Sequence, residues 1–144
     1  SRQHNVRVSE RMAERIKIHV GAALTDLPNP PEDYVIHGPN RITTMPMEVP
    51  VCYQEIAHCL ETSIAKIEQA VINALASTPP ELYADIVKNG IYLTGGGALL
   101  RGIDKRLSDK INIPFHVAED PLLCVAKGTG VALKNVEKFT FLMR

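Results

Sequence analysis

The chain has 144 residues and a mass of 15.9 kDa, enough for one domain or two small lobes. Apolar residues make up 45% and charged residues 22%, which excludes a disordered or collagen-like polypeptide. Sixteen Lys and Arg balance sixteen Asp and Glu, so the basic excess of a non-specific nucleic-acid binder is absent.

No apolar run is long enough for a membrane helix. The first residues, 1–17, lack both an apolar signal core and an initiating Met. They read as a cut made inside a longer protein. Cys52, Cys59 and Cys124 are odd in number and lack paired spacing, the expectation for reduced thiols in a cytoplasmic protein.

Val8, Met12, Ile16 and Val20 recur every four residues and predict an amphipathic helix, with Ser9 as cap and Gly21 as stop. The prolines at 28, 30 and 31 make residues 25–33 a surface loop. Tyr34-Val35-Ile36 and Ile42-Thr43-Thr44 predict the strands of an antiparallel hairpin, turning at His37-Gly38-Pro39-Asn40. Val49 and Val51 extend it, and Pro46 and Pro50 confine it to edge positions. Ile56, Leu60, Ile64, Ile67, Val71 and Leu75 then mark one face of a long helix over about 53–77, roughly 37 Å at 1.5 Å per residue. Glu55, Glu61, Lys66, Glu68 and Gln69 fall off that face.

Thr78, Pro79 and Glu81 predict a capped helix start, with Leu82 and Ile86 inward and Asn89-Gly90 as the end. A short strand follows over Ile91–Thr94, then a turn at Gly95-Gly96-Gly97. Leu99, Leu100, Ile103, Leu107 and Ile111 form the next helical stripe, and 114–117 a further strand. Asp120 as cap and Pro121 at the first position open the last helix, which carries Leu122, Val125, Ala126, Val131, Ala132, Leu133 and Val136. This alternation over 79–137 predicts an α/β unit with adjacent parallel strands. The chain thus divides into a small α+β subdomain, 1–77, and part of a parallel-sheet subdomain, 78–144.

The strongest chemical feature is the strand-to-helix turn Leu93-Thr94-Gly95-Gly96-Gly97-Ala98-Leu99-Leu100. Three glycines allow a ligand to approach the backbone, and the following helix start offers N–H groups. Glycines also make a plain tight turn, and pattern alone leaves both readings open. Position 100 is leucine, so the dinucleotide fingerprint fails, and no Lys-Ser/Thr pair completes a Walker loop. The adenosine part of a nucleotide suits this turn better than phosphate does. Glu14-Arg15-Ile16-Lys17 is the second candidate, since Glu14 and Lys17 share a helical face and can pair or jointly hold a sugar or base. Gly128 and Gly130 inside a helical stretch suggest close helix–strand packing or a nearby ligand, with packing the better reading. Met45 and Met47 suit either a contact surface or packing under the hairpin. No metal-ligand spacing and no nucleophile motif occur, so no catalytic or metal residue is assigned.

Four segments, 9–18, 78–87, 91–104 and 117–130, resemble the C-terminal part of the MreB family, the bacterial actin-like proteins of rod-shape determination. The glycine block followed by Leu99-Leu100-Arg101-Gly102, then Ala118-Glu119-Asp120-Pro121, carries the resemblance most specifically. The resemblance implies a partial actin-like ATPase (ribonuclease H-like) fold, most of the second lobe. It implies that Glu14, Arg15, Ile16 and Lys17 lie beside adenine and ribose, and that Gly95, Gly96, Gly97, Ala98 and Leu99 form the loop under the nucleotide.

For the parent it further implies ATP with Mg2+, slow ATPase activity, nucleotide-gated filaments under the inner membrane, and partners in cell-wall elongation. Membrane contact would come from the first lobe. The fragment alone is expected to show no ATPase, to hold no nucleotide tightly, and to self-associate through unpaired sheet edges. A sugar kinase or chaperone ATPase fragment of the same fold class is the alternative. The apolar tail 139–143 is expected to dock on its own lobe.

Overall fold

A computed structural model of the chain describes residues 3–139. Helix α1 (Glu10–Val20) begins where expected, because the Ser9 hydroxyl accepts from the Met12 N–H at 3.3 Å. It stops at Gly21, where ψ turns to 130° and the backbone becomes extended, and where a Cβ would drive into the Lys17 carbonyl, so only glycine fits.

Strands β1 (Tyr34–Pro39) and β2 (Pro46–Val51) pair antiparallel, with Ile36 opposite Val49 and Tyr34 opposite Val51. The second strand therefore starts later than predicted, and Ile42, Thr43 and Thr44 lie in the turn. Asn40 is the cause. Its Oδ1 accepts from the N–H groups of Ile42 (2.8 Å) and Thr43 (3.1 Å), and its carbonyl accepts from Thr44 N, which sits at φ 59°. An asparagine turn outcompetes the strand preference of β-branched residues. Asn40 N donates to Met45 O, and with a ladder period of two Pro46 and Pro50 fall at positions that need no N–H. Residues 5–7 run beside the end of β1, where Val6 bridges Asn40.

Helix α2 (Tyr53–Ala76) matches its predicted span, but its inward face is rotated. Ile64 is buried, Ile67 is half exposed, and Glu68 is only 6% exposed. Helix α3 (Pro80–Asn89) starts at Pro80, one residue later than expected. Thr78 does not cap it; its hydroxyl donates back to the Ala74 carbonyl of α2 at 2.8 Å. Leu82, predicted inward, is 56% exposed. The helix ends at Gly90, where a φ of 78° and the 2.7 Å that would separate an added Cβ from the Pro114 carbonyl oxygen both exclude a side chain.

Strand β3 (Ile91–Leu93) pairs parallel with β4 (Phe115–Val117), Ile91 opposite Phe115, around the crossover helix α4 (Ile103–Ile111). The predicted α/β unit is present. The stripe from Leu99 is broken, since Gly96–Leu99 form a 3-10 turn and α4 begins only at Ile103. The last helix, α5 (Cys124–Lys134), also starts later than predicted. Asp120 takes φ 49°, and its carboxylate meets Lys127 Nζ at 2.6 Å instead of capping a helix.

Two apolar clusters result. One joins Val6, Ile16, Val20, Ala22, Ile36, Val49, Val51 and Tyr53; the other joins Ala23, Ile64, Ile103, Leu107, Ile113 and Phe115. Helix α2 serves both. Helix α5 buries no residue: Val125 is 78% and Leu133 70% exposed, and a Cβ at Gly128 or Gly130 would meet nothing within 4 Å. The close packing expected of those two glycines has no partner among the described residues. Of the tail 139–143, only Phe139 lies within them.

Candidate functional site

Helix α1 carries the Glu14–Lys17 pair that its spacing predicts. Lys17 Nζ lies 2.8 Å from Glu14 Oε2, and both side chains are about half exposed. Arg15 points to solvent and makes no ion pair among the described residues; its carbonyl oxygen is 2.8 Å from His19 Nδ1. Ile16 faces the opposite way. It is 7% exposed and belongs to the first core cluster, where it anchors α1. Glu14 and Lys17 line a groove of about 550 Å³ between α1 and α2, which also takes in His4, Glu55 and Cys59. None of Gly95–Leu99 lines that groove.

The glycine turn reaches α1 by another route. Arg101 follows the turn, and its carbonyl accepts from Ala23 N at 2.8 Å, in a parallel bridge with Ala22. Its guanidinium reaches the carbonyls of Ile18 and Gly21, each at 3.4 Å. Leu100 presses against Gly21, and the Gly21 N–H bonds the Lys17 carbonyl. The turn and the helix bearing Glu14 and Lys17 are therefore fastened together at the C-terminal end of α1. Arg101 went unrecognised as this fastener because its partners lie some 80 residues away.

Within the turn, Gly95 needs its φ of 81°. Gly97 is different. It has no positive φ, and a Cβ there would meet nothing within 4 Å; Gly96 would meet only Leu122 at 3.4 Å. Neither strain nor internal packing accounts for Gly97. Among the described residues, the N–H groups of Gly96 and Gly97 have no backbone acceptor. Ala98 is buried beneath the turn, and Leu99 is 56% exposed on its rim. The turn thus presents an open glycine surface. Lys17 is already committed to Glu14, and no group of three or more His, Cys, Asp or Glu among the described residues could hold a metal.

The strongest electrostatic feature lies elsewhere. Arg106 on α4 binds Glu68 Oε1 through Nε at 2.6 Å and grips Glu61 through both Nη atoms at 2.7 Å. Its Nη1 also donates to the Ala23 carbonyl at 3.0 Å. The Glu61 hydrogen bond is the largest cause of the raised Arg106 pKa, and the same bond lowers that of Glu61. Because the folded pKa of Glu61 is the lower one, its stabilisation is present above the ordinary carboxylate range and is lost as the pH falls through the folded value. Glu61→Gln is expected to lower the urea midpoint at neutral pH, with the gap to wild type closing below about pH 4. A gap independent of pH would contradict this assignment.

These elements define an actin-like ATPase fold. The structure aligns with MreB5 of Spiroplasma citri bound to AMPPNP at a TM-score of 0.87 and 34% identity, covering 99% of this chain and 42% of that one. The ADP-bound form gives 0.88 and 36%, covering 95% and 41%. A non-polymerising MamK mutant bound to AMPPNP, 20% identical with a TM-score of 0.64, shares the fold over 85% of this chain and 36% of its own.

A sequence model of the MreB/Mbl protein family matches residues 1–140, and the chain belongs to that family. It is 42% identical over 137 residues to the cell shape-determining protein Mbl of Bacillus cereus and 40% identical over 140 to MreB of Escherichia coli, covering 95% and 94% of this chain. The chain spans about two fifths of the length of those relatives: 40% of the first and 39% of the second.

Proposed function

We propose that this chain supplies the adenosine side of the nucleotide cleft in an ATP-binding, filament-forming protein that organises cell-wall synthesis at the inner face of the membrane. The observation that carries the reading is Gly97, a glycine that neither backbone strain nor packing requires, in a turn fastened to the Glu14–Lys17 helix. The AMPPNP- and ADP-bound relatives of the same fold support it.

In this reading Glu14, Arg15 and Lys17 flank base and ribose, and Ile16 holds their helix in place from the core. Gly95, Gly96, Gly97, Ala98 and Leu99 form the floor. The division into an upper part, 1–77, and a lower part, 78–144, belongs to the same proposal. A bound nucleotide would supply the phosphates whose loss weakens filament contacts. Mg2+ would be held outside this chain's described residues, which offer no ligand set. Family membership displaces the sugar-kinase and chaperone alternatives.

Calorimetric titration with ATP and ADP tests the assignment. The chain alone is expected to bind weakly and to hydrolyse nothing above background. In a protein of the relatives' full size, Gly97→Val is expected to lower nucleotide affinity roughly tenfold, about 1.4 kcal/mol, without changing the thermal midpoint. Unchanged affinity would refute the floor assignment.

A further inference from the structure

Two arginines that the nucleotide cleft does not use stand together where residues 5–7 meet the end of β1. Val6 bridges Asn40 antiparallel, Arg7 N donates to the Pro39 carbonyl at 3.1 Å, and Arg41 N donates to the Asn5 carbonyl at 2.7 Å. Val6 is fully buried, so strand alternation turns Arg7 outward, and Arg41, one residue past Asn40, is exposed as well. The two positions are diagonal neighbours across this pairing, about 7–8 Å apart in such a ladder and within reach of one another's long side chains. Together with Val8, Pro39, Asn40 and Thr44 they line one surface cavity of about 590 Å³.

The scaffold beneath them is fixed. Gly38 lets the strands close up, since a Cβ there would come within 2.8 Å of Val6 Cγ1. Asn40 Oδ1 accepts from Ile42 N and Thr43 N, and its Nδ2 donates to Met47 Sδ at 3.4 Å. Thr44 Oγ1 donates to the Thr43 carbonyl at 2.7 Å. The neutral polar side chains of the cavity are thus spent on the turn itself. The guanidinium groups are not: Arg7 and Arg41 make no ion pair among the described residues, and the lining holds no Asp or Glu. Glu48 of β2 is taken by His37 at 3.1 Å. By contrast Lys17, Arg106 and Lys127 each have a carboxylate partner. Two like charges held side by side repel each other, and an anion between them turns that repulsion into attraction.

The geometry points to an oxyanion site of the phosphate class, held by Arg7 and Arg41. Two planar forks offer more donors than the two oxygens of a carboxylate can accept, whereas a phosphate monoester presents three oxygens and roughly two negative charges. The cavity is larger than a phosphate group, so an organic substituent can stay attached. A soluble phosphate ester and a phosphate-monoester lipid headgroup share this chemistry.

Titration of the chain with inorganic phosphate, against chloride at matched ionic strength, tests the site through the amide chemical shifts of Arg7, Asn40, Arg41 and Thr44. Saturable shifts are expected at these residues. Arg7→Gln with Arg41→Gln is expected to weaken binding at least roughly tenfold, while Lys66→Gln with Lys88→Gln, which removes the same charge from exposed positions on α2 and α3, leaves it unchanged. Arg7→Lys with Arg41→Lys keeps both charges without the forks and is expected to fall between. A phosphate affinity that survives loss of both arginines, or no saturable shift in the wild type, overturns the proposal. Acetate binding as tightly as phosphate, or a lysine pair equal to wild type, overturns the phosphate assignment. Cosedimentation with phosphatidylcholine vesicles, with and without phosphatidic acid, separates the sources. Binding that needs both phosphatidic acid and the two arginines identifies a headgroup, and phosphate binding without it identifies a soluble ester.

Discussion

Replacing Arg106 with alanine is expected to cost this chain about 3–5 kcal/mol, read as a shift in urea unfolding. The substitution does more than delete a surface ion pair, which would cost little. The Arg106 side chain is 15% exposed and that of Glu68 9%, so the pair is desolvated. Removing the guanidinium leaves the Glu68 carboxylate buried without its cation and the Ala23 carbonyl without a donor. It also unties α4 from α2, because the same side chain holds Glu61 on the outer edge.

Lysine cannot replace it. An ammonium offers one point of charge where three carboxylate and carbonyl groups are spaced for a planar fork. Arg106→Lys is therefore expected to recover only part of the loss. Arg106→Met with Glu68→Met should recover more, since it removes the buried charge along with its partner. A loss below about 1 kcal/mol for the alanine variant would contradict the buried-pair assignment.

Leu107→Ala, next along α4, is expected to lower stability by about 2–5 kcal/mol through a different mechanism. Leu107 is 1% exposed and sits in the second cluster with Ile64, Ile103, Ile113 and Phe115. Truncation removes buried methyl groups and leaves a cavity between α2 and the two-stranded sheet, which cannot collapse without moving one of them. Leu82→Ala is the matched control. It removes the same atoms from a residue that is 56% exposed and is expected to change the midpoint by less than about 0.5 kcal/mol. Equal losses at the two positions would mean that α3 packs inward after all.

Both predictions concern one helix because α4 carries the joint between the two halves of the sequence. Its Arg106 reaches back to α2 and to residue 23, and Arg101 ahead of it reaches the end of α1. That joint holds the glycine turn in fixed relation to the Glu14–Lys17 helix. Under the proposed function, loss of Arg106 is expected to weaken nucleotide binding as well as stability.

Local periodicity was enough to find α1, the span of α2, the proline loop, the two parallel strands and the glycine turn between β3 and α4. In each case the signal is contained within a few turns or one strand: a four-residue stripe, a proline cluster, a short apolar run bounded by glycine or proline. The Glu14–Lys17 pair was equally legible, because partners three residues apart on a helix need no tertiary information. The family resemblance rests on the same kind of contiguous segment.

What only the tertiary structure decided were the features whose partners lie far along the chain. Glu68 had been placed off the apolar face of α2, yet it is buried, because Arg106 comes from 38 residues away to neutralise it. Asn40 moved the hairpin turn by spending its side chain on the next residues' N–H groups, a choice open to any asparagine and made here by the strand pairing around it. The glycines of α5 and the face of Leu82 looked inward on paper, but nothing among the described residues comes to meet them. A sequence states which side chains share a face. Which face is covered depends on what else arrives there, and that is a property of the packed molecule.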